Sequence, residues 1–173
     1  MIWGYWDGWH AGMQASMEHA LRVCNGATLH VVIIDGNSEI DTNHEVLRSD
    51  LVLRRNEVKK KVNEIKKQMG VAVKVVYHEY ATLAESLTHG GDFDFDVVFL
   101  TAKEVFHCDP YDTNLSTMQG SRTSNGLVSA DVEIVPLVYE EGTSFVCSST
   151  KIRKRKKREE QKNNKLAEGS AQK

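Results

Sequence analysis

The chain opens MIWGYWDGWHAGMQASMEHAL (residues 1–21), and the reading of that stretch decides the fold. Met1 to Trp6 is a short apolar run broken at Gly4, the pattern of a buried strand ending in a loop. Met13, Met17, Ala20, Leu21 and Cys24 then recur at i, i+4, i+7, i+8 and i+11, the apolar stripe of a helix. Between the two, Gly4 and Gly12 permit close backbone approach and Asp7 is placed to cap or orient the turn. The first-turn N–H groups of the helix are expected to face whatever binds there, and a phosphate suits such a place. An ordinary strand-to-helix turn, with Trp3, Trp6 and Trp9 as packing, accounts for the same residues. Local physics does not separate the two.

Outward from this stretch the alternation continues. ATLHVVIID (27–35) is a β-branched run too short for a helix and closed by Gly36-Asn37. Val58, Val62, Ile65 and Met69 mark one face of a long charged helix stopped by Gly70, and VAVKVVYHEY (71–80) alternates as a strand. DVVFLT (96–101) and DVEIVPLVY (131–139) supply two more strands, with a loop and short helix between them. Strands separated by helices imply right-handed crossovers and a parallel sheet covered on both faces, whose ligands sit at the carboxyl ends of the strands.

With 173 residues, 40% of them apolar, the chain can build one sizeable core. The expected organisation is a domain over 1–155 and a basic tail over 156–173. Residues 151–173 hold ten of the 22 basic residues and three of the 24 acidic ones, leaving this end at +7 and the rest at −9. So few apolar residues cannot offset chain ordering, so the tail reads as a short helix fraying into disorder. KIRKRKKR (151–158) has no aromatic interleaving and no nucleic-acid motif, which makes a solvated helix end the expected role and nucleic acid an unexpected partner. Cys24, Cys108 and Cys147 form no C-x-x-C pair, an odd count that suits a reducing compartment. No apolar run approaches the ~18 residues of a membrane span, and no basic leader precedes Tyr5 to Asp7. A cytoplasmic protein without a membrane partner is expected.

Near the other end, Cys147-Ser148-Ser149-Thr150-Lys151-Ile152-Arg153 places three hydroxyls at a helix start whose next turn is cationic. Hydroxyls, helix N–H groups and Arg153 together suit a polyphosphate, while a plain Ser/Thr N-cap explains the hydroxyls alone. Other clusters read more simply. Neighbouring residues of His107-Cys108-Asp109 point apart, and Asp92, Asp94 and Asp96 fit a solvated loop with Phe93 and Phe95 packed inward, so no metal site of the chain's own is expected.

Taken together, these motifs resemble the nucleotidylyltransferase superfamily, with G-x-F-D-x-x-H-x-G-H in the first loop and I-S-S-T-x-I-R near the C-terminus. Gly4 to Met13 matches the first in part and Ser148 to Arg153 matches the second almost fully. The closer likeness is to the archaeal and eukaryotic type of phosphopantetheine adenylyltransferase, through LRRNEVKKKVNEI (53–65), ATLAESLTHGGDFDFDVVFLTAKEVF (81–106), Arg122 to Leu127 and VEIVPLVYEEGTSFVCSSTKIR (132–153). The resemblance implies a Rossmann-like, doubly wound parallel five-stranded sheet with helices on both faces. It also implies transfer of AMP from ATP, with Mg²⁺, to 4'-phosphopantetheine, giving dephospho-coenzyme A and pyrophosphate. The nucleotide would lie on Gly4, Tyr5, Trp6, Asp7, His10, Gly12, Met13, Ser148, Ser149, Thr150 and Arg153. His10, Lys151 and Arg153 would act in catalysis, and Tyr5, Arg48, Arg54 and Arg122 would hold the phosphorylated acceptor. A homo-oligomer fits the resemblance as well.

The sequence also departs from that pattern. Met13 stands where the family carries a second His, Tyr5 where it has Thr or Ser, and no Lys occurs between Asp35 and Leu47. A thioether neither donates a hydrogen bond nor carries charge. His19, six residues on, lies about 240° round the helix from Met13 and does not replace it. Two alternatives follow: a CTP-dependent cytidylyltransferase, which shares the first motif, and a nucleotide-binding or scaffold homologue without turnover.

Overall fold

The computed structural model describes residues 1–39, 48–89, 93–101, 111–142, 146–147 and 149–171. Five strands, β1 (Ile2–Gly4), β2 (Thr28–Ile34), β3 (Lys74–Tyr80), β4 (Val97–Thr101) and β5 (Asp131–Val135), form one sheet in the order β3-β2-β1-β4-β5. Every pairing is parallel. Among the described residues, five α-helices join and follow them: α1 (Ala11–Val23), α2 (Leu51–Met69), α3 (Leu83–His89), α4 (Tyr111–Ser124) and α5 (Ser149–Ala171).

Each face of the sheet carries a core. Leu29, Val31 and Ile33 of β2 join Met17, Ala20 and Leu21 of α1 and Val58, Val62 and Ile65 of α2 on one side. Val32 and Ile34 join Leu87, Val98, Leu100 and Met118 on the other. Burial on alternate sides explains why β2 ends in the apolar run Val31 to Ile34. The long second helix starts where Asp50 accepts from the Val52 and Leu53 N–H groups at 2.8 and 3.2 Å and stops at Gly70, whose φ of 65° is left-handed.

The sheet order reverses between β1 and β4, the switch point at which such sheets open a crevice beyond the carboxyl ends of their strands. The expected parallel sheet with helices on both faces is therefore present. Beyond the sheet, α5 runs as a helix to Ala171. Lys, Arg, Glu, Gln and Ala are strong helix formers, and a first turn fixed by packing removes the cost of nucleation.

Candidate functional site

The loop that leaves β1 is shaped by its aromatic residues. Trp6 has a left-handed backbone, φ 50°, and its indole is buried, donating from Nε1 to the Val32 carbonyl at 2.9 Å. The indole also fills the space over Gly4, where an added Cβ would lie 3.3 Å from Trp6 Cε2. Gly4 and Trp6 therefore approach each other, and the Trp6 indole is committed to the sheet. Trp9 stacks on Trp6 with centroids 6.0 Å apart.

His10 is the N-cap of α1. Its Nδ1 accepts from the Gly12 and Met13 N–H groups at 3.2 and 3.4 Å, which places the ring proton on Nε2. Burial lowers its pKa from the ordinary histidine value, in keeping with a neutral ring. Two of the helix N–H groups expected to face a ligand are thus taken by His10 itself, which leaves Nε2 as the ring's own donor. Gly12 makes this possible, since a Cβ there would sit 3.1 Å from the imidazole Cε1 and Nδ1. Met13 is partly buried and packs against the core shared by α1 and α2, where its thioether makes apolar contact.

Asp7 is buried and does not cap its own turn. One oxygen accepts from the Ser49 hydroxyl at 2.5 Å, and the other accepts from Arg153 Nη1 at 3.2 Å. Around this ion pair the start of α5 closes on the loop: Ile152 Cγ2 lies 3.5 Å from a Cβ built on Gly8, and Cys147 Cβ lies 3.6 Å from one built on Gly12. The two distant motifs do converge, though Arg153 is engaged with Asp7 in a buried pair rather than held out as a bare cation. Lys151 is exposed and lies about 200° round α5 from Arg153, so the two do not face one point. Ser148 lies outside the described residues, as do the side chains of Ser149 and Thr150 and the His107-Cys108-Asp109 cluster.

The expected acceptor residues divide. Arg48 Cζ stands 3.7 Å over the Tyr5 ring centroid and its Nη1 donates to the Gly36 carbonyl at 2.5 Å, bringing Tyr5 and Arg48 together at the carboxyl ends of β1 and β2. Arg54 is corrected. All five of its N–H donors are used: Nε to the Ser49 carbonyl, Nη1 to the Tyr5 and Ile34 carbonyls, and Nη2 to the carbonyl and carboxylate of Asp35. Burial lowers its pKa, with Asp35 and Asp7 acting the other way. It ties β1, β2 and the start of α2 together. Arg122 donates to the Val128, Phe93 and Phe95 carbonyls near the amino end of β4, at the other end of the strands from Tyr5 and Arg48.

Sequence reasoning missed Ser49, Ile152 and Cys147 as neighbours of the loop. No local pattern marks them, since each acts across a long chain separation.

No protein-family profile and no curated protein matches the chain. Among solved structures, a protein of unknown function from Archaeoglobus fulgidus superposes with a TM-score of 0.50 at 13% identity, over 79% of this chain and 98% of that one. The hypothetical protein MJ0577 superposes at 0.37 with 14% identity, over 82% of this chain and 96% of that one. The first likeness, together with the strand order, supports a Rossmann-like α/β fold and speaks to the fold alone. Among the described residues no helix is long and apolar enough to cross a membrane.

Proposed function

We propose that the protein binds ATP, as its magnesium complex, at the loop between β1 and α1 and transfers AMP slowly to a phosphorylated small-molecule acceptor. The sequence resemblance points to 4'-phosphopantetheine as that acceptor. The observation that carries this reading is the meeting of two segments 146 residues apart, Arg153 on Asp7, beside a helix start whose capping imidazole keeps a proton on Nε2. A triphosphate laid along the loop would receive that N–H, with Arg48 and Tyr5 on the neighbouring strand end for the acceptor's phosphate. Magnesium would travel with the phosphates, because both oxygens of Asp7 are engaged within the protein.

The reaction asks little covalent chemistry of the chain. An acceptor phosphate oxygen attacks the α-phosphorus in line, a new O–P bond forms, the bond to the bridging β-phosphate oxygen breaks, and pyrophosphate leaves. His10 Nε2–H would steady the developing charge. Met13 supplies no second donor, and the loss of one such donor typically costs ~10² to 10³ in rate.

A second reading, binding without turnover, is favoured by Met13, whose side chain packs against the core, and by Arg153 held on Asp7. Thermal shifts with ATP and with CTP, each with magnesium, followed by pyrophosphate release with 4'-phosphopantetheine, separate the cases. The expected result is stabilisation by ATP, reduced in His10→Ala, with slow pyrophosphate release. Stabilisation without release supports the second reading, and preference for CTP supports cytidylyl transfer. No shift with either nucleotide overturns all three.

A further inference from the structure

The five residues from Lys154 to Arg158 are all cations, and all five are exposed. Successive residues of an α-helix point about 100° apart, so these five surround the axis of α5. The helix has therefore left the body of the domain by this turn. Exposed Lys151 and Lys162 extend the side that bears Lys154, Arg155 and Arg158 to about 16 Å of helix. None of the five residues from Lys154 to Arg158 is ion-paired among the described residues. As a fraying tail the run would carry charge only. As a helix anchored through Arg153 it carries charge in a fixed arrangement.

We propose that this stretch of α5 docks in the major groove of B-form DNA and is held by phosphates on both walls. That groove is about 12 Å wide and admits an α-helix, and cations on every side of the axis match anionic walls on both sides. A membrane presents its charge in one plane, which would leave Lys156 and Lys157 facing away from it. No apolar residue stands among 154–159 or 161–163 to enter an acyl layer. The major groove of A-form RNA is deep and too narrow for side chains to read. The rest of the chain, at −9 against the +7 of residues 151–173, turns a polyanion toward this helix. Contact with phosphates alone makes the binding insensitive to sequence and sensitive to salt. The proposal does not depend on the nucleotide reading above.

The test is fluorescence anisotropy of the full chain with a labelled DNA duplex, beside an RNA duplex of the same sequence and cosedimentation with phosphatidylserine vesicles. About five phosphate contacts imply a fall in affinity of roughly 500-fold between about 50 and 200 mM salt. K154A/R155A/R158A should weaken binding and lower the salt slope by about three, and K156A/K157A by about two, with helicity by circular dichroism unchanged. Full affinity in K156A/K157A overturns the groove, because a flat contact would spare those two residues. Absence of DNA binding at low salt, or tighter binding to RNA or vesicles, overturns the proposal outright.

Discussion

His10 and Gly12 act as one unit, because the ring that caps α1 occupies the space a Cβ on Gly12 would take. His10→Ala should destabilise the fold by about 1 kcal/mol, the usual worth of an N-cap. Gly12→Ala should cost a similar amount, since the ring must swing off the helix end to admit the methyl group. In the His10→Ala background the clash disappears, and Gly12→Ala should become neutral or stabilise by about 0.5 kcal/mol through reduced unfolded-chain entropy. Urea denaturation of the four proteins closes the cycle, and simple additivity of the two losses would sink the account. The sequence pointed instead to Asp7 as the turn's cap, for Asp is a common residue there. Its real commitments, to Ser49 and Arg153, lie 42 and 146 residues away and leave no local trace.

Between elements, β2 and β3 meet through a pair of histidines. His30 Nδ1 lies 2.9 Å from His78 Nε2, the ring centroids are 5.2 Å apart, and Phe93 stacks on both rings. One neutral ring donates and the other accepts, and a second proton on the pair would set two cations against each other. Burial lowers both pKa values; at His30 the cations of His78, the chain amine and Lys74 act in the same direction and Asp94 opposes them. The unfolded chain then takes up protons first as pH falls below 6.5, so stability declines from that point until the folded pair itself titrates. Melting temperature should fall between about pH 7 and about pH 5.5, and His30→Leu/His78→Leu should flatten part of that fall, the Met1 amine, which burial pushes down to about 5, and His10 accounting for the remainder. An undiminished acid slope in the double variant would refute the assignment. The five strands were legible because each carries a β-branched or alternating run between turn residues. The length of α5 was not, since a run of charged residues has no apolar period to read.

For the whole molecule, α5 has two parts with different duties, and the boundary falls a few residues after Arg153. Ile152 and Arg153 lie against the first loop, whereas the side chains of 154–159 and 161–163 are exposed. The convergence itself was legible as an expectation from two motifs at opposite ends of the chain. The partners inside it were not, because burial of Asp7 and Arg153 depends on the sheet that brings them together. A chain ending at Arg158 should lose under about 0.5 kcal/mol, the usual reach of surface changes, and keep whatever thermal shift ATP produces. A chain ending at Ser148 loses Arg153 and leaves the buried Asp7 carboxylate without its cation, a change worth about 3 to 5 kcal/mol when an ion pair is broken from one side. It should melt well below the longer chain and lose the ATP shift with it. Equal stability of the two truncations in urea would mean that the loop after β1 holds its shape without α5, and the two-segment site would then have no structural basis.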